Sequence, residues 1–329
     1  MTPTEIAKEY RRKYGMEMPT MALARIMFRD HAEFKSLEKA RNVLRYIEGK
    51  CKNHTGTKYK PTIHPEFYMK EARPRNPYKL PESHAEKREP YVLPVGENNI
   101  LVLSDLHIPY HHVPSIEKAF DYGVENQINT IILLGDVLDN HQISHFQANP
   151  SKRSQKEEFD ICKEFLVRMR EVFPNAAIYW AKGNHDIRIE KYLLAKAPEL
   201  FGDSYYHLEE RLRLNEQKIK VLDDKTIIKA GNLTLHHGHL IFGRFPNANP
   251  AKTLWDKTNV EFMCGHLHQN ISYTKTTTQG EKKTFILGCL SEVGLDVDYN
   301  PITNQYRRGF GHVKVTNGKY QAWLIDGEN

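Results

Sequence analysis

Five short stretches rich in histidine and aspartate, each directly behind an apolar run, restrict this chain's fold more than any other feature. They are Ser104-Asp105-Leu106-His107, Gly135-Asp136-Val137-Leu138-Asp139, Gly183-Asn184-His185-Asp186, His236-His237-Gly238-His239 and Gly265-His266-Leu267-His268. The runs before the first three, at 99–103, 130–134 and 176–181, are short and almost wholly apolar, as buried parallel strands are. The runs at 233–235 and 260–264 precede the last two in the same way. Each stretch therefore falls at the carboxyl end of a strand, where open α/β sheets place their ligands. Asp105 and His107 alternate, so both side chains are expected on one face of a strand end.

Carboxylates, imidazoles and one amide together make a ligand set for two hard-to-borderline divalent ions, with an aspartate able to bridge them. Two ions bridged at about 3.5–4 Å suit in-line displacement at phosphorus. One such stretch alone would carry little, because a histidine beside glycine is more often a solvated turn residue. Five in order, each behind a β-type run, carry the inference to a phosphoesterase.

The set resembles the calcineurin-like metallophosphoesterases, whose pattern is D-x-H, G-D-x-x-D, G-N-H-D/E, H-G-H and G-H-x-H. The resemblance covers about residues 98–329. It implies an α/β fold, a two-sheet sandwich flanked by helices with the metals at one end. It also implies that Asp105, His107, Asp136 and His268 hold one ion, that Asp136 bridges, and that Asn184, His237 and His266 complete the second. His185 would be the catalytic histidine facing the leaving group, with Asp139 orienting it and favouring the imidazolium. The nucleophile would be a metal-bound hydroxide. Manganese is the expected ion, with iron, zinc, magnesium and nickel as alternatives. The family arginine often seen after G-D-x-x-D is absent, and Asn140-His141 stands there instead. Similar motifs occur in the nuclease subunits of double-strand-break repair complexes, which favours nucleic acid as substrate.

Arg188 and His239 are the candidate substrate contacts beside these motifs. His111, His112, His141 and His145 flank motifs in polar loops, and about half of them are expected to be spectators. Arg244, Arg307 and Arg308 are candidates to clamp phosphate oxygens, although solvated loop charge accounts for at least two of them.

The formal net charge of +6 is unevenly spread. Residues 1–95 carry 20 Lys+Arg against 12 Asp+Glu, and the remainder 27 against 29. A basic appendage on a near-neutral core points to a polyanionic partner, most simply nucleic acid. Residues 1–50 read as three short helices, a helix-turn-helix-like all-α module. The third, from Ser36 to Gly49, buries one face and presents Lys39, Arg41, Asn42, Arg45 and Glu48 on the other. Lys39, Arg41 and Arg45 are its candidate nucleic-acid contacts, and a protein-docking role stays open. This basic leader resembles phage-encoded members of the family, which would act in a host cytoplasm. Residues 51–97, rich in proline, tyrosine and basic side chains around 73–79, read as a linker to the domain at 98–329.

No run approaches the roughly 18 apolar residues of a membrane span. The polar start is unlike an export signal, and four cysteines without C-x-x-C pairing fit a reducing cytoplasm. Oligomeric state is left open. Within the core, 154–173 reads as a helix and 187–231 as a helical insertion roofing the site. The last expected element is a hairpin turning at Asn317-Gly318 that closes the second sheet. Two other functions remain open. One is hydrolysis of nucleotides, cyclic nucleotides or other small phosphate esters. The other is an inactive nucleic-acid-binding or scaffold protein, against which the complete ligand set argues.

Overall fold

A computed structural model describes residues 1–63, 80–85, 87–143, 154–242, 248–293 and 306–328. The basic stretch at 73–79, His145 and Arg244 lie outside the described residues. The chain divides into two compact units, Met1–Glu86 and Lys87–Asn329.

In the first unit, α1 (Pro3–Tyr14) starts at a Thr2 capping box, with Glu5 answering the Thr2 backbone and proline in the first turn. Helices α2 (Thr20–Asp30) and α3 (Leu37–Ile47) follow, and Ser36 caps α3. Ile6, Ala7, Leu23, Met27, Leu44 and Ile47 make the core, which Ile63 joins from beyond the helices. The stretch after α3 folds back, since the Thr62 amide donates to Ile47 O at 2.9 Å. Glu48 is not on the outer face. It is buried and paired with Arg11, because a carboxylate at the end of α3 meets the guanidinium from α1. Arg11 also donates to Gly15 O and Met18 O at 2.9 and 2.7 Å, so the buried charges are satisfied.

The second unit holds strands β1 (Tyr91–Val92), β2 (Asn99–Leu103), β3 (Thr130–Leu134), β4 (Ala177–Ala181), β5 (Ile219–Leu222) and β6 (Ile228–Ala230). It continues with β7 (Leu233–Leu235), β8 (Phe262–Cys264), β9 (Ile271–Thr277), β10 (Gly280–Ile286), β11 (Gly309–Thr316) and β12 (Lys319–Asp326). Its helices are α4 (Val113–Glu125), α5 (Gln155–Val172), α6 (Arg188–Lys196), α7 (Leu208–Arg211) and α8 (Pro250–Thr258). One sheet has the order β12-β11-β2-β3-β4-β5 and the other β1-β6-β7-β8-β10-β9. Strand periodicity builds the layers. Ile100, Val102, Ile132 and Leu134 face Leu233, Leu235, Met263 and Phe285 in the core between the sheets. Leu101, Leu103, Ile131 and Leu133 face the other way, under α4 and α5. Each such buried side chain contributes roughly 1.5–3 kcal/mol. Ala251 and Leu254 of α8 pack on Phe262 and Ile286 of the second sheet. The result is a two-sheet α/β sandwich flanked by helices. No described helix is long and apolar enough to cross a membrane.

Three further expectations need correction. The segment 187–231 is not wholly helical, because it holds β5, an edge strand of the first sheet, and β6, which lies between β1 and β7 in the second. Strand β1, inside the stretch read as linker, pairs in parallel with β6. The Asn317-Gly318 hairpin forms, with φ of 51° and 76°, but β11 pairs with β2 and so extends the first sheet rather than the second.

Candidate metal centre

The five stretches leave the carboxyl ends of β2, β3, β4, β7 and β8 and converge. Asp105 and His107 reach the site by left-handed turns with φ of 56° and 48°, not by the alternation of a continuing strand. The turned backbone is laced to the next loop, with the Asp105 amide donating to Gly135 O at 3.1 Å and the His107 amide to Asp136 O at 3.0 Å. Glycine is required at 183 and 265, where a Cβ would overlap Asp136 Oδ1 in the first case and Ser104 Oγ and Asp105 Oδ2 in the second.

Three clusters of potential ligand atoms result among the described residues, each within 4.8 Å: Asp105–His107–His268, Asp136–His237–His266 and His107–Asp139–His185. His268 Nε2 lies 3.1 Å from Asp105 Oδ1 and 3.4 Å from His107 Nε2, so two ring nitrogens face one carboxylate. His237 Nε2 lies 3.0 Å from Asp136 Oδ2 without forming a well-directed hydrogen bond. Asn184 Oδ1 is buried with no hydrogen-bond partner among the described residues. Convergent nitrogens and carboxylates beside an orphaned amide oxygen are the donor set that borderline divalent ions take, so the residues fit.

A second layer fixes these groups. His237 Nδ1 donates to Leu134 O at 2.8 Å, and His107 Nδ1 to Asp139 Oδ1 at 3.0 Å, which turns both Nε2 atoms inward. Asp139 Oδ1 also lies 3.2 Å from His185 Nδ1, so it serves His107 as well as the histidine it was expected to orient. Arg188 donates to Asp139 O at 2.8 Å and to His185 Nε2 at 2.9 Å. Asp186 accepts from the Val137 and Leu138 amides at 3.1 Å and the Gly183 amide at 2.8 Å, tying two loops together. Asn140, in place of the family arginine, is fully buried and donates to His185 O at 2.9 Å. Its own amide donates to Glu158 Oε1 at 2.6 Å. Sequence reasoning missed Glu158, which sits in α5 without any local motif.

Burial opposes charge throughout the site; neighbouring histidines override it for Asp105, Asp136 and Asp139, whereas burial prevails for Asp186 and lifts Glu158 to about 8. Burial raises Asp105, but His268 more than offsets this and holds it at about 2. His237 is disfavoured by burial, yet Asp136 and Asp105 push it up to about 10. Burial, reinforced by His237, takes His266 down to about 3. His185 departs from expectation. Burial lowers it despite Asp136 and Asp139, so its surroundings favour the neutral ring.

Residues 99–288 match the calcineurin-like phosphoesterase family. The chain belongs to that family. It is accordingly a metal-dependent phosphoester hydrolase. No curated protein sequence matches the chain. Among solved structures it is similar to vacuolar protein sorting 29 from Cryptosporidium parvum, with 14% identity, 70% of this chain and 97% of that one covered, and a TM-score of 0.35. It is also similar to Yfce, a phosphoesterase from E. coli, with 18% identity, coverage of 65% and 87%, and a TM-score of 0.33. A dimetal phosphatase from Danio rerio gives 10% identity, coverage of 70% and 99%, and a TM-score of 0.32.

The flanking residues of this calcineurin-like unit divide clearly. His239 stacks on His236, meets His266 edge-on and lies 3.5 Å from Asp224 Oδ2, beside the second cluster. His112 caps α4, accepting from the Ser115 amide, and His141 lies 3.8 Å from Asp139 Oδ2. Arg308 is held by Glu292 and Glu328, while Arg307 stays exposed. Cys264 is a buried residue of β8. In the first unit, Lys39 is exposed, Arg41 pairs with Glu38 at 3.1 Å, and Arg45 reaches Lys50 O at 3.5 Å.

Proposed function

We propose that the second unit is a two-metal phosphodiesterase acting on nucleic acid, which α3 of the first unit helps to hold. The observation that carries the metal reading is the pair of largely buried ligand clusters, Asp105–His107–His268 and Asp136–His237–His266, with the orphaned Asn184 Oδ1 in the loop whose His185 amide donates to Asp136. Asp105, His107, Asp136 and His268 would hold one ion, and Asp136, Asn184, His237 and His266 the other. A mixture of imidazole and carboxylate suits manganese, which we take as the working ion. Bound divalent ions supply Lewis-acid polarisation of a phosphoryl oxygen and neutralise charge in the transition state.

The chain's own residues do the rest. His185 handles the leaving-group proton at Nε2, and Asp139 with Asn140 keeps its ring in place. Arg188 donates to that same Nε2 in the free protein and would shift onto the departing oxygen to compensate its charge, which frees Nε2 for the proton. His239 lines the opposite cluster. The excess of basic residues over 1–95, with Lys39, Arg41 and Arg45 on α3, supports a polyanionic substrate. The pair of Arg41 with Glu38 is solvent-exposed and gives way to a phosphate at little cost.

The test is binding of the full chain to labelled DNA and RNA across a salt series, wild type against a Lys39, Arg41 and Arg45 triple alanine variant. Affinity should fall, and the salt slope should drop by about one for each phosphate no longer neutralised. Equal affinity and slope would move the substrate to small phosphate esters and leave the first unit as a docking module.

A further inference from the structure

We infer that a cleft beside the G-H-x-H loop binds the nucleoside attached to the scissile phosphate, and that guanosine fits it best. This rests on the phosphodiesterase reading above. The cleft encloses about 510 Å³ and is lined by Gln269, Asn270, Ile271, Arg307 and Asp326. That is within the range of roughly 300–1,000 Å³ usual for small-molecule sites.

Its position ties it to the metal centre. Gln269 directly follows His268, and Asn270 is at most about 7 Å along the chain from it. On the other wall, the Arg307 amide donates to His268 O at 2.6 Å, while Arg307 O accepts from the Cys289 amide at 2.9 Å. Both walls are thus anchored to the loop that carries a metal-ligand candidate.

The lining selects a base rather than a bare phosphate. Arg308 adds no cation, since Glu292 and Glu328 engage it at 3.3 and 3.5 Å. Arg307 and Asp326 both line the cleft, and a carboxylate there repels an anion. Asn270 also lines the cleft, and its Oδ1, buried with no hydrogen-bond partner among the described residues, would take a ligand donor once a small side-chain turn exposes it. Ile271 supplies an apolar flank. Guanine meets all three demands. Its O6 and N7 accept from a guanidinium fork, and its N1–H and N2–H donate to carboxylate or amide oxygens. Adenine lacks the paired acceptors, and pyrimidines lack that edge.

The test is calorimetric titration of the four phosphate-free ribonucleosides into the full-length chain, wild type, Arg307→Ala and Asp326→Asn. Circular dichroism checks that each variant is folded, which is expected because both side chains are exposed. Guanosine should bind tightest, and each variant should weaken it about tenfold, the worth of one charge-assisted hydrogen bond. No binding to the wild type, equal affinity for all four nucleosides, or unchanged affinity in both variants would each overturn the proposal. Aryl-phosphate hydrolysis without guanosine binding overturns the cleft alone. Guanosine binding without hydrolysis of any ester overturns the reading of the metal centre on which it rests.

Discussion

Asp105, His107, Asp136, His266 and His268 all take left-handed backbone angles, with φ between 48° and 68°. Each such non-glycine residue costs on the order of 1–3 kcal/mol, so the site is assembled against local stability. The chemistry of these residues was legible because histidine, aspartate and glycine recur in a fixed order. Their backbone was not, since alternation in sequence does not reveal a left-handed turn. Glu158 and Asn140 were invisible for another reason, because their role arises only when α5 packs behind the loops. Two substitutions separate the roles. Asp136→Asn should lose bound metal and activity together, because in the proposed assignment Asp136 would bridge the two ions. His185→Ala should keep metal and lose about 10²–10⁴ in kcat, most for esters with poor leaving groups. Metal analysis beside kcat on a leaving-group series checks both, and a His185→Ala protein emptied of metal would refute the assignment.

At the scale of elements, strands β2, β3 and β7 match their apolar runs end to end, while the largely polar β9 and β10 went unread, as did β1, β5 and β6. Those three have two to four residues each, too short for periodicity to declare them. Helix α3 was legible except at Glu48, whose partner Arg11 lies 37 residues away. That pair yields a pH prediction. Burial raises the Glu48 carboxyl, but hydrogen bonds from Lys50 and Arg11 outweigh it and hold the group below its ordinary value of 4.5. Its folded form is therefore stabilised above the unfolded pKa, and the contribution disappears as pH falls through the lower folded value. Glu48→Ala should cost about 3–5 kcal/mol at neutral pH, the usual penalty for orphaning a buried charge. The gap to wild type should narrow as pH falls through the lowered folded value, below which Glu48 is protonated in both states. Urea unfolding followed by helical circular dichroism measures it. Trp180, Trp255 and Trp323 all belong to the second unit and report that unit separately. A variant as stable as wild type at pH 7 would contradict the account.

At the scale of the whole molecule, the two-sheet sandwich followed from the family resemblance, because motifs at strand ends imply the sheets that present them. Sequence did not show which sheet takes the final hairpin. The Asn317-Gly318 turn sets pairing within the hairpin, whereas its partner β2 is chosen by burial of Phe310 and Val313 far along the chain. The central claim is that this chain hydrolyses phosphate esters only when its histidine and aspartate clusters hold divalent ions. The most direct measurement is aryl-phosphate turnover together with bound metal, on exhaustively chelated protein and then through a titration with Mn²⁺. The account predicts no turnover after chelation and a return of activity in step with two ions bound per chain. Full turnover by the metal-free protein would contradict it.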